Sequence, residues 1–311
     1  MRSLLAQCSI CILSLTIAGI MSVSVCGQSK SKVTVHEGEN DTIDIRIDEQ
    51  PFATFNFGTG LPKPFVLPVR TASGTIINRN LNDPSDADHP HHKGLWLSID
   101  EVNGQKFWAE KAPIVNVSRK TVHSGDSKAV LQVVNEWRHG ETGAVQVRET
   151  TEITFFARRV IKYDVTFTAE QDEVVFEDTK EGLFGFRVAP SMKETKGGTV
   201  VSSSRVAGTK DCWGKPFPWI DYSGTVDGKV VGVTLMDHPL NFRPSRYHVR
   251  DYGLFSISPF GDKAYTNGAL ESQPLHLKKG DSIRLRYGAY FHDGDSGAAN
   301  IPAAWAVFTQ D

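Results

Sequence analysis

Cysteine is scarce in this chain: of Cys8, Cys11, Cys26 and Cys212, only the last lies beyond position 26. Residues 1–27 carry a single charge, Arg2, and an apolar run over residues 10–20 that is too short to span a bilayer and suits the core of a secretory leader. Cleavage is expected after Gly27, with export to the periplasm or the extracellular space. Lipidation of Cys26, within the imperfect lipoprotein box Val23-Ser24-Val25-Cys26, is the second reading. Cleavage after Gly27 leaves Cys212 alone, which excludes an intramolecular disulfide framework and leaves stability to a buried core.

An excess of either charge is also missing. Lys and Arg number 34 against 36 Asp and Glu, and no basic run or stripe occurs, so nucleic acid and anionic membrane surfaces are not expected partners. No apolar run after residue 27 is long enough for a transmembrane segment. There is no Pro/Ser-rich linker and no fixed-period repeat; residues 28–311 read as one domain.

Helical periodicity is scarce as well, and what fills the chain instead is alternation with a period of two. In Ile161-Lys162-Tyr163-Asp164-Val165-Thr166-Phe167-Thr168 every odd position is apolar and every even one polar, giving a strand one buried and one wet face. Strands are likewise predicted over residues 42–47, 51–57, 95–99, 114–117, 130–137, 145–155, 183–188, 230–235, 253–257 and 283–291. Turn signals such as Asn103-Gly104, Asp227-Gly228 and Lys279-Gly280 separate them. The fold class is therefore all-β, a large antiparallel β-sandwich of roughly twenty strands. One short helix is expected over residues 302–308, with Pro302 in its first turn.

Three of the ten histidines fall in Asp88-His89-Pro90-His91-His92-Lys93-Gly94-Leu95-Trp96. Pro90 bars a regular central strand, so these side chains are presented from a bend. Imidazole titrates near neutrality and is the commonest metal ligand, so the cluster reads as acid–base chemistry or as a divalent-metal site on His89 and His91, with His92 or His238 as third ligand. A hydrogen-bonded turn that only positions Gly94 and Trp96 is the structural alternative. Of the three, His89 and His91 are expected to face inward.

Three further segments carry suitable groups. His238, Asn241, Arg243 and Arg250 can bind hydroxyls or carboxylates, although Arg250 with Asp251 also reads as an internal ion pair. Trp213-Gly214-Lys215-Pro216-Phe217-Pro218-Trp219 offers aromatic faces of the kind that stack on sugar rings, and burial under a loop explains it nearly as well. Cys212 reads as a small buried hydrophobe. Glu271 is a candidate general base if the fold sets it opposite a histidine, and otherwise a solvated surface residue.

The ordered set Asp88 to Trp96, Val102-Asn103-Gly104, Glu181-Gly182-Leu183-Phe184-Gly185, Asp221-Tyr222-Ser223-Gly224, Asp237-His238-Pro239, Arg250-Asp251-Tyr252-Gly253, Pro259-Phe260-Gly261 and His292-Asp293-Gly294-Asp295 resembles the secreted bacterial PmoA family over residues 69–295. That family's label, methane oxygenase, names a subunit of a membrane enzyme with several spanning helices, which the chain after Gly27 does not match. More distantly, Ala269-Leu270-Glu271-Ser272-Gln273-Pro274 and the alternating strand ending at Phe291 resemble galactose-mutarotase-like supersandwiches. That resemblance implies a sugar ligand, Glu271 as base and one of His89, His91 or His92 as acid.

The expectation is an exported β-supersandwich that binds or processes a carbohydrate or other polyhydroxylated ligand, by epimerase-like or lyase/hydrolase-like proton transfer. His89, His91, His238 and Glu271 are the expected catalytic groups, and His92, Trp96, Trp213, Asn241, Arg243, Arg250 and His292 the expected binding groups. No organic cofactor is required. A His-based metal protein and a non-catalytic sugar-binding or assembly module are the alternatives.

Overall fold

The computed structural model describes residues 31–310; the expected leader, its cleavage point and Cys26 lie outside the described residues. Twenty strands are present among the described residues, and sixteen of them follow one another in a single hydrogen-bonded order. Neighbouring strands pair antiparallel. The order has one weak joint, where strand Lys32–Glu37 meets strand Ile114–Asp126 only through Lys32 with Asp126 and Val33 with Gly125.

Eight strands lie on each side of that joint, and the two sides face each other across a shared core. Aromatic rings from opposite sides meet there: Phe52 with Phe155 at 6.5 Å, Tyr163 with Phe184 at 5.1 Å, Phe186 with Phe291 at 5.5 Å, and Tyr222 with Phe255 at 6.0 Å between centroids. Each is edge-on or tilted, the arrangement ring quadrupoles favour. Burying each such side chain contributes about 1.5–3 kcal/mol. The expected antiparallel sandwich is the observed architecture. A second, four-stranded sheet is built from Leu275–Lys278, Glu173–Phe176, Asp100–Val102 and Gln105–Lys106.

Alternation locates the strands that have one wet face. Strand Thr42–Ile47 has the burial pattern its sequence predicts, with Ile43, Ile45 and Ile47 inward. Strand Val160–Ala169 buries Tyr163, Val165 and Phe167. The C-terminal helix spans Ile301–Thr309, with Pro302 in its first turn and the Asn300 side chain accepting from the Ala303 N–H.

Alternation fails in two physically distinct ways. Strand Ile114–Asp126 runs well past residue 117, but register shifts at Asn116/Ser118 and Thr121/His123 break its period, and its outer residues are mostly exposed. Strand Trp219–Val226 buries polar Asp221 and Ser223 along with its apolar residues, so no polar face marks it in the sequence. Strand Arg246–Val249, at the edge of the sixteen-strand order, occupies what reads as a polar loop.

Candidate functional site

The histidine segment is the bend its proline requires. The His92 N–H donates to the His89 carbonyl, His89 takes a left-handed φ of 46°, and strand Leu95–Leu97 follows. Burial runs opposite to the expected order. His92 is 1 % exposed and innermost, whereas the His89 side chain is 44 % exposed. His92 stacks on fully buried Trp96 at 5.6 Å, His89 stacks on His92 at 4.9 Å, and Tyr252 stacks on His89 at 5.2 Å. Trp96 and His92 therefore support the site from below and do not reach a ligand, contrary to the binding role expected for them. His91 is half-buried and meets both neighbours edge-on. Burial, with the Lys63 charge beside it, lowers its pKa to about 4.

A charged network fixes the bend. Arg187, fully buried on strand Phe184–Arg187, donates to both carboxylate oxygens of Asp88 at 2.8 and 2.9 Å. Arg79 donates to the Asp88 and His89 carbonyls and pairs with Asp86, which also binds Lys193. Burial pushes the Asp88 carboxyl up, but the hydrogen bond and charge of Arg187, with His89 and Arg79, hold it at about 2. On the other flank buried Lys63 spans the His91 carbonyl at 2.9 Å, the Trp108 carbonyl at 3.3 Å and Glu110 at 2.9 Å.

The expected metal site is not formed. Among the described residues no three His, Cys, Asp or Glu side chains are grouped so as to hold a metal ion. The His92 Nδ1 faces Arg187 at 3.4 Å, and the Lys63 charge acts on His91, so cations already stand beside two of the three rings.

Beside the exposed end of the stack a second set of groups converges. His248, on the edge strand, is 3 % exposed, with Nδ1 3.0 Å from the Lys180 carbonyl and 3.9 Å from the Glu181 carboxylate. A carbonyl only accepts, so Nδ1 carries the proton and Nε2 the lone pair. Burial, reinforced by the Arg250 charge, lowers His248 to about 3, so the ring is neutral at physiological pH. Burial raises the pKa of Glu181, against Lys180, Arg250 and His89, whose charges lower it. Tyr252 stacks on His89 and lies two residues after Arg250, whose charge acts on both His248 and Glu181, which joins the bend to this pair.

A tight hairpin presents the remaining groups. The Gly253 N–H donates to the Arg250 carbonyl, the Arg250 N–H donates to the Leu254 carbonyl, and Gly253 takes a φ of 95° that suits glycine. The hairpin aims Arg250, Asp251 and Tyr252 at a cavity of about 440 Å³ that Trp213 and Lys210 also line. Trp213 meets His248 edge-on at 6.4 Å. No ion pair between Arg250 and Asp251 is present among the described residues; Arg250 lies 5.9 Å from the Tyr252 ring.

The other expected site residues lie elsewhere, so the single composite cleft is not formed. His238, Asn241 and Arg243 line a separate cavity of about 380 Å³ walled by Pro216, Phe217, Pro218 and Trp305. His292 is buried, with Nε2 2.7 Å from Asp221 and Nδ1 3.2 Å from the Gly294 carbonyl, which leaves neither nitrogen for a ligand. Glu271 is exposed on the segment before strand Leu275–Lys278, and among the described residues it has no hydrogen bond or ion pair. The carboxylate beside His248 is Glu181, at 3.9 Å, which the sequence reading did not single out as a base. No local sequence signal marks it, because its pairing with His248 joins segments 67 positions apart. Cys212 is buried, and burial raises its thiol to about 11, so it is inert. Among the described residues no helix is long and apolar enough to cross a membrane.

Similar solved structures include a galactose 1-epimerase from Lactobacillus acidophilus, at 8 % identity over 86 % of this chain and 99 % of that one, with a TM-score of 0.39. A putative aldose 1-epimerase from Klebsiella pneumoniae is 10 % identical over 90 % of this chain and 84 % of that one, with a TM-score of 0.38. A GH36 alpha-galactosidase from Geobacillus stearothermophilus is 9 % identical over 85 % of this chain, with a TM-score of 0.42; this chain spans 41 % of that protein. No curated protein matches the chain. A family model described as a family of unknown function, DUF6807, matches residues 42–306, a span that contains the bend, the Glu181–His248 pair and the Arg250 hairpin. The chain belongs to the DUF6807 family.

Proposed function

We propose that the cleft holding Glu181, His248, Arg250, Tyr252 and Trp213, with His89 at its rim, binds a carbohydrate or similar polyhydroxylated molecule and transfers a proton on it. The observation that carries this reading is the Glu181–His248 pair, 3.9 Å apart, with His248 meeting edge-on, at 6.4 Å, the Trp213 ring that lines a cavity large enough for a sugar ring. Burial pushes the two groups in opposite functional directions: the carboxyl holds its proton to higher pH, while the imidazole stays neutral with a lone pair on Nε2. The pair thus sets a carboxyl of raised pKa beside an imidazole lone pair, groups suited to proton transfer without an organic cofactor. The faces of Trp213 and Tyr252 suit the apolar side of a sugar, and Arg250, Lys210 and Asp251 suit its hydroxyls.

The same reading has the chain act outside the cytoplasm after loss of residues 1–27. The PmoA resemblance brings no activity to it. The test is to incubate the full chain with a panel of aldoses and uronates in D2O and follow anomer interconversion and C–H exchange by proton NMR. Catalysed exchange that Glu181→Gln abolishes supports the proposal. Binding without exchange reduces it to a sugar-binding module, and neither binding nor exchange across the panel overturns it.

A further inference from the structure

His89 is the only ring of the stack with a largely exposed side chain, and its surroundings leave one polar atom open. Its faces are covered by His92 at 4.9 Å and Tyr252 at 5.2 Å. Its Nδ1 lies 3.2 Å from Asp88 Oδ2. Among the described residues, Nε2 has no partner. An ionised carboxylate only accepts, so a neutral His89 facing it carries its proton on Nδ1 and offers a lone pair at Nε2.

Asp88 is itself fixed from behind. Its Oδ1 receives Arg187 Nη2 at 2.8 Å and Arg79 Nη2 at 3.2 Å, while Oδ2 receives Arg187 Nη2 at 2.9 Å and turns its remaining capacity to His89. Arg79 Nη1 holds the Asp88 and His89 carbonyls at 2.8 and 3.0 Å, which keeps His89 in its left-handed backbone conformation. Neither arginine can rotate away: both side chains are at most 2 % exposed.

We infer that Asp88 is a positioning residue, anchored by Arg187 and Arg79, that fixes the tautomer of His89 so that Nε2 faces the cleft as a hydrogen-bond acceptor. His89 then takes a proton from a ligand hydroxyl and does not donate one. The inference rests on the proposed use of the cleft, but its test reads the ring without any ligand. The two can therefore fail separately.

The test exploits a geometric asymmetry. In Asp88→Asn the amide has one oxygen; Arg187 Nη2 reaches both oxygen positions but Arg79 Nη2 reaches only that of Oδ1, so the oxygen settles there and the NH2 turns to His89. An NH2 group donates to Nδ1 and moves the ring proton to Nε2, the kind of tautomer error that an Asp-to-Asn change makes beside a catalytic histidine. Long-range proton–nitrogen NMR of the full chain labelled at histidine, about two pH units above the ordinary imidazole pKa of roughly 6.5, reads the tautomer directly. The His89 signals are identified by their loss in His89→Gln. The expected result is predominantly Nδ1–H in the wild type and predominantly Nε2–H in Asp88→Asn. A wild-type ring protonated on Nε2, an even mixture, or a variant with an unchanged tautomer overturns the inference. If Asp88→Asn does not fold, the wild-type spectrum alone decides.

Discussion

His89 and His92 lie face to face, their ring centroids 4.9 Å apart and their planes 2° from parallel. The pair sits in the middle of a four-ring column that begins at Trp96 in the core and ends at Tyr252 beside the cleft. The position of the outermost imidazole thus depends on how the innermost indole packs.

Trp96→Ala should therefore act at both ends of the column. Removing a fully buried indole costs about 3–5 kcal/mol, read as a lower denaturation midpoint with an unchanged slope. Gly185→Ala should be similarly destabilising, since its Cβ would come 2.6 Å from the Trp96 ring. Equal midpoints for wild type and Gly185→Ala would show that the indole can move aside.

Stability should fall in mild acid. The unfolded chain protonates His248 near the ordinary 6.5, whereas the folded chain does so only at about 3. The contribution of His248 is thus fully present above about pH 6.5 and is lost as pH falls towards 3, by up to about 1.4 kcal/mol per unit. His91, lowered to about 4, adds a smaller loss in the same direction because its ring is half-exposed. His248→Asn keeps a donor to the Lys180 carbonyl but cannot titrate, so its stability should vary less with pH between 4 and 6.5, as measured by urea titration at a series of pH values.

Gly232→Ala should release His292. A Cβ at position 232 would stand 2.3 Å from His292 Cε1 and 2.8 Å from Nε2, the atom that binds Asp221. Displacing the ring strands a buried carboxylate, at a cost of about 3–5 kcal/mol. The effect should be strongly non-additive: Gly232→Ala made on a His292→Ala background should cost much less than on the wild type. Additive effects in that double-mutant cycle would count against a steric cause.

Trp213→Ala should weaken ligand binding about tenfold, or about 1.4 kcal/mol, with little change in melting temperature, because the indole is only partly buried and lines the cavity. Trp305→Ala, in the separate cavity bounded by His238 and Arg243, should leave the same affinity unchanged. Calorimetric titration with a ligand found by the exchange assay distinguishes the two cavities.

Strands with one wet face, such as Thr42–Ile47 and Val160–Ala169, are legible in the sequence because solvent imposes the alternation. Strand Trp219–Val226 is not, since Asp221 and Ser223 find their partners inside: Asp221 binds His292 and Thr234, and Ser223 binds Thr199. The candidate site divides in the same way. Pro90 announces the bend, and the clustered polar groups around Arg250 announce a hairpin of binding groups. The choice of carboxylate was not legible, because what distinguishes Glu181 from Glu271 is burial beside His248, a property of tertiary contacts between segments far apart in the chain. Nor was the burial order of the three histidines, which depends on Arg187 standing against His92 from a strand far away in sequence.

The Lys180 carbonyl that accepts from His248 belongs to the same peptide plane as the Glu181 nitrogen, and it also accepts from the Tyr265 hydroxyl at 2.9 Å. One peptide plane thus carries the Cα of Glu181 and accepts from the imidazole. The backbone from which the carboxylate extends is tied to the His248 ring by a single hydrogen bond, although the two residues lie 67 positions apart in sequence.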